Sequence, residues 1–159
     1  YRPFLERKFG GAAAVDAMHA RLAALGEADG VMFRFERMTV RPNTLSAYRL
    51  IHRAQQQGLA TDLLVDALFR AHFEQGLNVG DAETLHMLGA AVGMEDVRDW
   101  LAGDEGSDEV IALEERVRQL GVSGVPVFIF NGGIAVSGAQ PAAVLLDAAL
   151  RGVDAEPAS

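Results

Sequence analysis

Apolar positions between residues 45 and 120 recur at spacings of three and four, the period of one helix face. Polar caps and glycines punctuate them. Ala47, Leu50, Ile51 and Ala54 make an i, i+3, i+4, i+7 stripe that Gly58 stops, and Asn43, after Pro42, is the predicted N-cap. Thr61 is predicted to cap the next helix, with Leu64, Ala67, Leu68 and Ala71 inward, Phe69 and Phe73 broadening the stripe, and Gly76 ending it. Asp81 caps a third helix, with Leu85, Leu88 and Val92 inward and Gly93 beyond. Residues 94–102 predict a short fourth helix around Val97, Trp100 and Leu101. Ser107 caps a fifth, with Val110, Leu113, Val117 and Leu120 inward and Gly121 as its stop. Upstream, residues 5–26 are alanine-rich and helical, broken by Gly10-Gly11. Residues 31–40 alternate loosely, Val31, Phe33 and Phe35 against Met32, Arg34 and Glu36, which predicts a short strand.

The pattern changes after Gly124. Residues 125–130 read Val-Pro-Val-Phe-Ile-Phe, a buried strand by composition. Asn131-Gly132-Gly133 supplies a hairpin turn, and residues 134–137 a second, antiparallel strand. Pro141 then sits in the first turn of a helix running to Leu150, with Val144, Leu145 and Ala148 as its apolar face. Residues 151–159 read as a frayed tail. The order is many helices, then strand, turn, strand, helix. Pro126 stands at the start of its strand, where a missing N–H is tolerated. From the residues alone its peptide bond is open to trans or cis; the cis form would turn the Val125 backbone outward.

Composition narrows the chemistry. The 159 residues include no cysteine, which excludes a disulfide framework, a cysteine zinc site and thiol catalysis by these residues. No run of apolar residues is long enough to span a bilayer. The net charge is −8, unevenly spread: residues 1–60 carry nine basic and five acidic side chains, residues 61–159 five and seventeen. That balance disfavours nucleic-acid binding. The basic third reads as a solvated arginine-rich surface, or as a place to hold a small anion. His19, His52, His72 and His86 are too dispersed for a metal motif, no serine sits in a nucleophile elbow, and the acids between Asp81 and Glu115 fall on helix caps and faces.

One segment is more specific. Gly121-Val122-Ser123-Gly124-Val125-Pro126-Val127-Phe128 resembles the G-V-x-G-V-P-x-F segment before the third strand of DsbA-family thioredoxin-fold oxidoreductases. The ending Ser137-Gly138-Ala139-Gln140 is similar to that of their FrnE-like branch. So, in order, are Lys8-Phe9-Gly10, Pro42-Asn43-Thr44 with Arg49-Leu50-Ile51, and Leu68 to Gly76. The resemblance spans nearly the whole chain. It implies an α/β class: the C-terminal ββα half of a thioredoxin-like fold (residues 121–153), a large all-helical insertion (1–120) and a tail (154–159).

By the same resemblance the function is thiol–disulfide oxidoreduction, and the substrate is a thiol or disulfide, peptide or small molecule. The residue before the cis-proline pairs by its backbone with an extended thiol substrate, which makes Val125 and Pro126, with Gly124, the substrate loop. Ala139 and Gln140 line its neighbour, and Asn43 and Thr44 border the cleft. In glutathione-using relatives, the kappa-class transferases and hydroxychromene-carboxylate isomerases, the loop at Ala139-Gln140 carries a Ser-Asp pair. No cofactor is therefore expected, with glutathione the one candidate. The alternatives are a glutathione-dependent isomerase or transferase and a non-catalytic peptide-binding remnant. In the family a C-x-x-C-like motif opens the first helix of an N-terminal β–α–β unit of 30 or more residues, for which there is no room ahead of Tyr1. The catalytic residues are expected upstream of a truncated chain in a cytoplasmic protein, with no nucleic-acid or membrane partner. An unpaired hairpin edge, with Phe128 and Phe130 or their neighbours uncovered, would favour a homodimer.

Overall fold

A computed structural model describes residues 1–122, 124–131 and 133–154. Ser123 of the substrate-loop motif, Gly132 of the hairpin turn and residues 155–159 of the tail lie outside the described residues. The chain divides into two compact units, Tyr1–Val110 and Ile111–Ser159.

The first unit is all helix and turn. Helices α1 (Arg2–Phe9) and α2 (Ala12–Ala28) are parted by Gly10 and Gly11, at φ of 89° and 113°, a backbone region that side chains rarely adopt. Then come α3 (Leu45–Gln56), α4 (Thr61–Phe73), α5 (Ala82–Ala91) and α6 (Val97–Ala102). Their inward stripes meet in one core of Ala47, Leu50, Ala54, Leu64, Leu68, Ala71, Leu85 and Val97, with Val79 and Met94 closing it. These are the positions the three-and-four spacing selects. Phe69 is the exception, mostly exposed on α4. Arg49, on the same inward side of α3, is only 5% exposed. Its guanidinium donates to the carbonyls of Gly103 (2.8 Å) and Glu105 (2.8 Å) just beyond α6, and lies 4.8 Å over the Trp100 ring. It therefore satisfies two carbonyls of the turn that follows α6.

Residues 31–40 do not form a strand. They hold one 3₁₀ turn (Phe35–Arg37) and irregular backbone. No strand lies beside them among the described residues, and the Arg34 N–H donates to the Phe73 carbonyl at the end of α4 (2.8 Å). Their alternation packs rings instead. Phe33 and Phe35 stack 5.2 Å apart, Phe33 meets Phe73 edge-on at 5.5 Å, and Phe35 stacks on His19 of α2 at 4.0 Å. Gly76 permits the approach: a Cβ there would fall 2.5 Å from that of Arg37.

The helix starts differ in detail. Asn43 is not the N-cap of α3. Thr44 holds that position without a side-chain bond, and Asn43 Oδ1 accepts from the Leu45 N–H (3.1 Å) in a turn one residue earlier. Thr61 opens α4 as its first residue and donates its hydroxyl to the Leu59 carbonyl. Asp81 does cap α5, accepting from the Thr84 N–H (3.0 Å). Ser107 is the first residue of α7 (Ser107–Gln119) rather than its cap. The boundary between the units falls within α7, and of its predicted stripe only Val110 is buried; Leu113, Val117 and Leu120 are exposed.

In the second unit, β1 (Val127–Phe130) and β2 (Ile134–Ser137) pair antiparallel, Val127 opposite Ser137 and Phe130 opposite Ile134. Helix α8 (Ala142–Asp154) packs on both strands. It continues past Leu150, so residues 151–154 are helix, not tail. Gly152 lies against Phe130, where a Cβ would approach to 2.9 Å. That contact puts Phe130, and Phe128 two residues before it, on the covered side. Both are half-buried, and the open side shows Ile129 and Ala135 instead. Ala148 is buried and Leu145 half-buried on α8, whereas Val144 is 44% exposed.

Candidate functional site

The loop ahead of β1 gathers the substrate-loop residues. The Val125–Pro126 peptide bond is cis. Gly124 and Pro126 are exposed, and Val125 is 91% exposed, more than any other large apolar residue described. The Pro126 carbonyl accepts from the Gly138 N–H (2.8 Å), which ties this loop to the one after β2. That second loop holds Ala139 and Gln140, both exposed. The Gln140 amide donates to the Ser137 carbonyl (3.1 Å) and so closes its own loop. The pairing register explains the meeting: Val127 opposite Ser137 puts the residues just outside the hairpin's open end side by side. Gly124, Val125, Pro126, Ala139 and Gln140 thus form one exposed surface of backbone and small side chains. No titratable group of this surface supplies acid–base chemistry, and no cysteine is present in the chain to supply a nucleophile.

Asn43 and Thr44 lie in the first unit. Asn43 serves the turn before α3, and its carbonyl is so close to Gly80 that a Cβ there would fall at 2.7 Å. Thr44 lines a cleft of about 450 Å³ with Lys8, His19 and Arg41 and the rings of Phe4, Phe9, Phe35 and Phe73. The spacing of these residues does not reveal the cleft. Phe73, singled out by the α4 pattern, is the local signal, but the packing of residues 31–40 onto α2 and α4 creates it. Partial burial and the nearby Arg2 hold the His19 imidazole below the usual histidine range, against the opposing pull of Asp16. No cluster of metal-binding side chains occurs among the described residues. No described helix is long and apolar enough to cross a membrane.

Comparison with known proteins places this geometry. The DSBA-like thioredoxin domain family matches residues 7–149. The chain belongs to that family. Within it, an α/β thioredoxin fold with a helical insertion accounts for the six helices ahead of α7 and for the closing ββα unit. The chain is also similar to the crystal structure of a probable DsbA oxidoreductase from Streptomyces coelicolor, at 33% identity and a TM-score of 0.84 over 96% of this chain. It spans 66% of that chain's length, a little under two thirds. No curated protein sequence matches it significantly. At the level of family, this is a DSBA-like thioredoxin domain, with the Val125-Pro126 loop ahead of β1.

Proposed function

We propose that this chain is the substrate-docking part of a FrnE-like thiol–disulfide oxidoreductase whose cysteines lie outside these 159 residues. The observation that carries the reading is the 124–126 loop, exposed at Val125 and fixed from behind by the bond from Gly138 to the Pro126 carbonyl. Disulfide exchange needs a thiolate to attack one sulfur of a disulfide, so that the old S–S bond breaks, the second sulfur leaves as thiolate and a mixed disulfide forms. These residues orient that step. The Val125 backbone pairs with an extended stretch beside the substrate cysteine, and Pro126 presents a ring without an N–H beside the sulfur. An extended peptide is the favoured substrate, because a backbone pairing site needs a backbone partner. Glutathione use ranks second: the Gln140 amide is engaged within its own loop and Ala139 offers no polar group.

Titrating the ¹⁵N-labelled chain with an extended, disulfide-capped cysteine peptide tests this. Shifts of the Gly124, Val125 and Val127 amides are expected, and their loss in Val125→Pro, which removes the pairing N–H. Peptide binding that leaves these amides unmoved, or shifts confined to Ala139 and Gln140 on adding glutathione, would overturn the reading. The unmodified chain should reduce insulin no faster than a protein-free control.

A further inference from the structure

The first unit carries a groove of its own. Two clefts, each about 450 Å³ and within the size range of ligand sites, lie side by side, with Leu22, Phe35 and Phe73 lining both. The shared stretch is apolar. The two ends differ in charge. At one end Arg70 is neutralised by Asp66 (2.7 Å) and Glu74 (3.8 Å). At the other, Lys8 and Arg41 have no acidic partner among the described residues; they lie over the rings of Phe9 (5.2 Å) and Phe4 (4.4 Å). No carboxylate lines that cleft, in a chain of net charge −8.

The helical walls of the groove have their backbone already committed. The amides of α1, α2 and α4 bond within their helices, and in the 31–44 segment that completes the walls the Arg34 N–H is taken by the Phe73 carbonyl. A peptide laid there would bury its own amides without partners, at a cost. A hydrocarbon tail has no such groups. We propose that the groove binds a single-headed amphiphilic anion. Its alkyl tail lies along Leu22, Phe35 and Phe73, and its carboxylate or similar head sits at the Lys8–Arg41 end. The aromatic walls supply area, and the unneutralised cations select the head.

Calorimetric titration of the full chain with decanoate, decanol and acetate tests the proposal. Decanoate is expected to bind about tenfold more tightly than decanol, as charge-assisted bonds to the head allow, and acetate not measurably. The double variant Lys8→Met, Arg41→Met should bring decanoate down to the decanol level and leave decanol unchanged. Phe69→Ser, at the tail end, should weaken both. Leu150→Ser, on the exposed side of α8, should change neither. Circular dichroism and a thermal melt on each variant separate lost binding from lost fold. Equal affinity for decanoate and decanol, an unchanged double variant that is folded, or binding abolished by Leu150→Ser would overturn the proposal.

Discussion

The two units of this chain are held together to very different degrees. In Tyr1–Val110, Val15, Leu50, Leu64, Leu85 and Val97 are fully buried large side chains, and four helices close around most of them. In Ile111–Ser159, Ala148 and Gly152 are the buried residues among those described. There Ile129, Leu146, Leu150 and Val153 are exposed, Val153 by 81%. Burying a leucine or valine side chain is worth about 1.5–3 kcal/mol. The helical unit collects that gain several times over, and the ββα unit collects little. The difference teaches where rigidity and function separate: the candidate docking loop belongs to the unit with the smaller core.

Core truncation should show the contrast most strongly. Leu50→Ala or Leu64→Ala is expected to destabilise the chain by about 2–5 kcal/mol, as cavities in closed cores do. Leu150→Ala should change it by less than about 0.5 kcal/mol, as exposed substitutions do. Urea unfolding followed by circular dichroism compares them, and a large loss at Leu150 would break the contrast. Arg49→Met comes next. It leaves two carbonyls beyond α6 without their donor, an expected loss of about 2 kcal/mol. Arg49→Lys should recover only part, because an ammonium cannot reproduce the fork that reaches both.

Much of this division is legible in the sequence. The three-and-four stripes of α3 to α6 mark the core because those faces meet one another. The same spacing in α7 marks Leu113, Val117 and Leu120, which stay exposed. Periodicity identifies an apolar face and says nothing of whether a partner covers it. The hairpin and α8 follow from composition and turn residues, down to the pairing of Val127–Phe130 with Ile134–Ser137. Residues 31–40 alternate like a strand, but a strand needs a neighbour, and here the rings find α2 and α4 instead. Arg49 is invisible as a buried residue, since its acceptors lie 54 and 56 positions away. Of the candidate site, Gly124-Val125-Pro126 is legible as a motif, whereas its tie to Gly138 emerges only from the strand register.

Two smaller effects sharpen the account of the helical unit. Asp81→Ala removes the one expected cap that holds, and should cost about 1 kcal/mol; Asn43→Ala, outside the cap position, should cost less. Comparing the two melts decides it. The His19 effect is smaller and depends on pH. Its folded pKa is lowered below the usual 6.5, so the unfolded chain binds the proton more readily. The resulting stability is present above about pH 6.5 and is lost as pH falls through the folded value. His19→Gln should flatten that part of the stability profile. A profile unchanged by the substitution would place the acid sensitivity elsewhere.

Native-state amide hydrogen exchange on the full chain tests the central contrast directly. Amides in α3, α4 and α5 are expected to exchange only through global unfolding, and those of β1, β2 and α8 by local opening at far lower free energy. Equal protection across both units would contradict an account in which the docking loop rests on the lightly buried one.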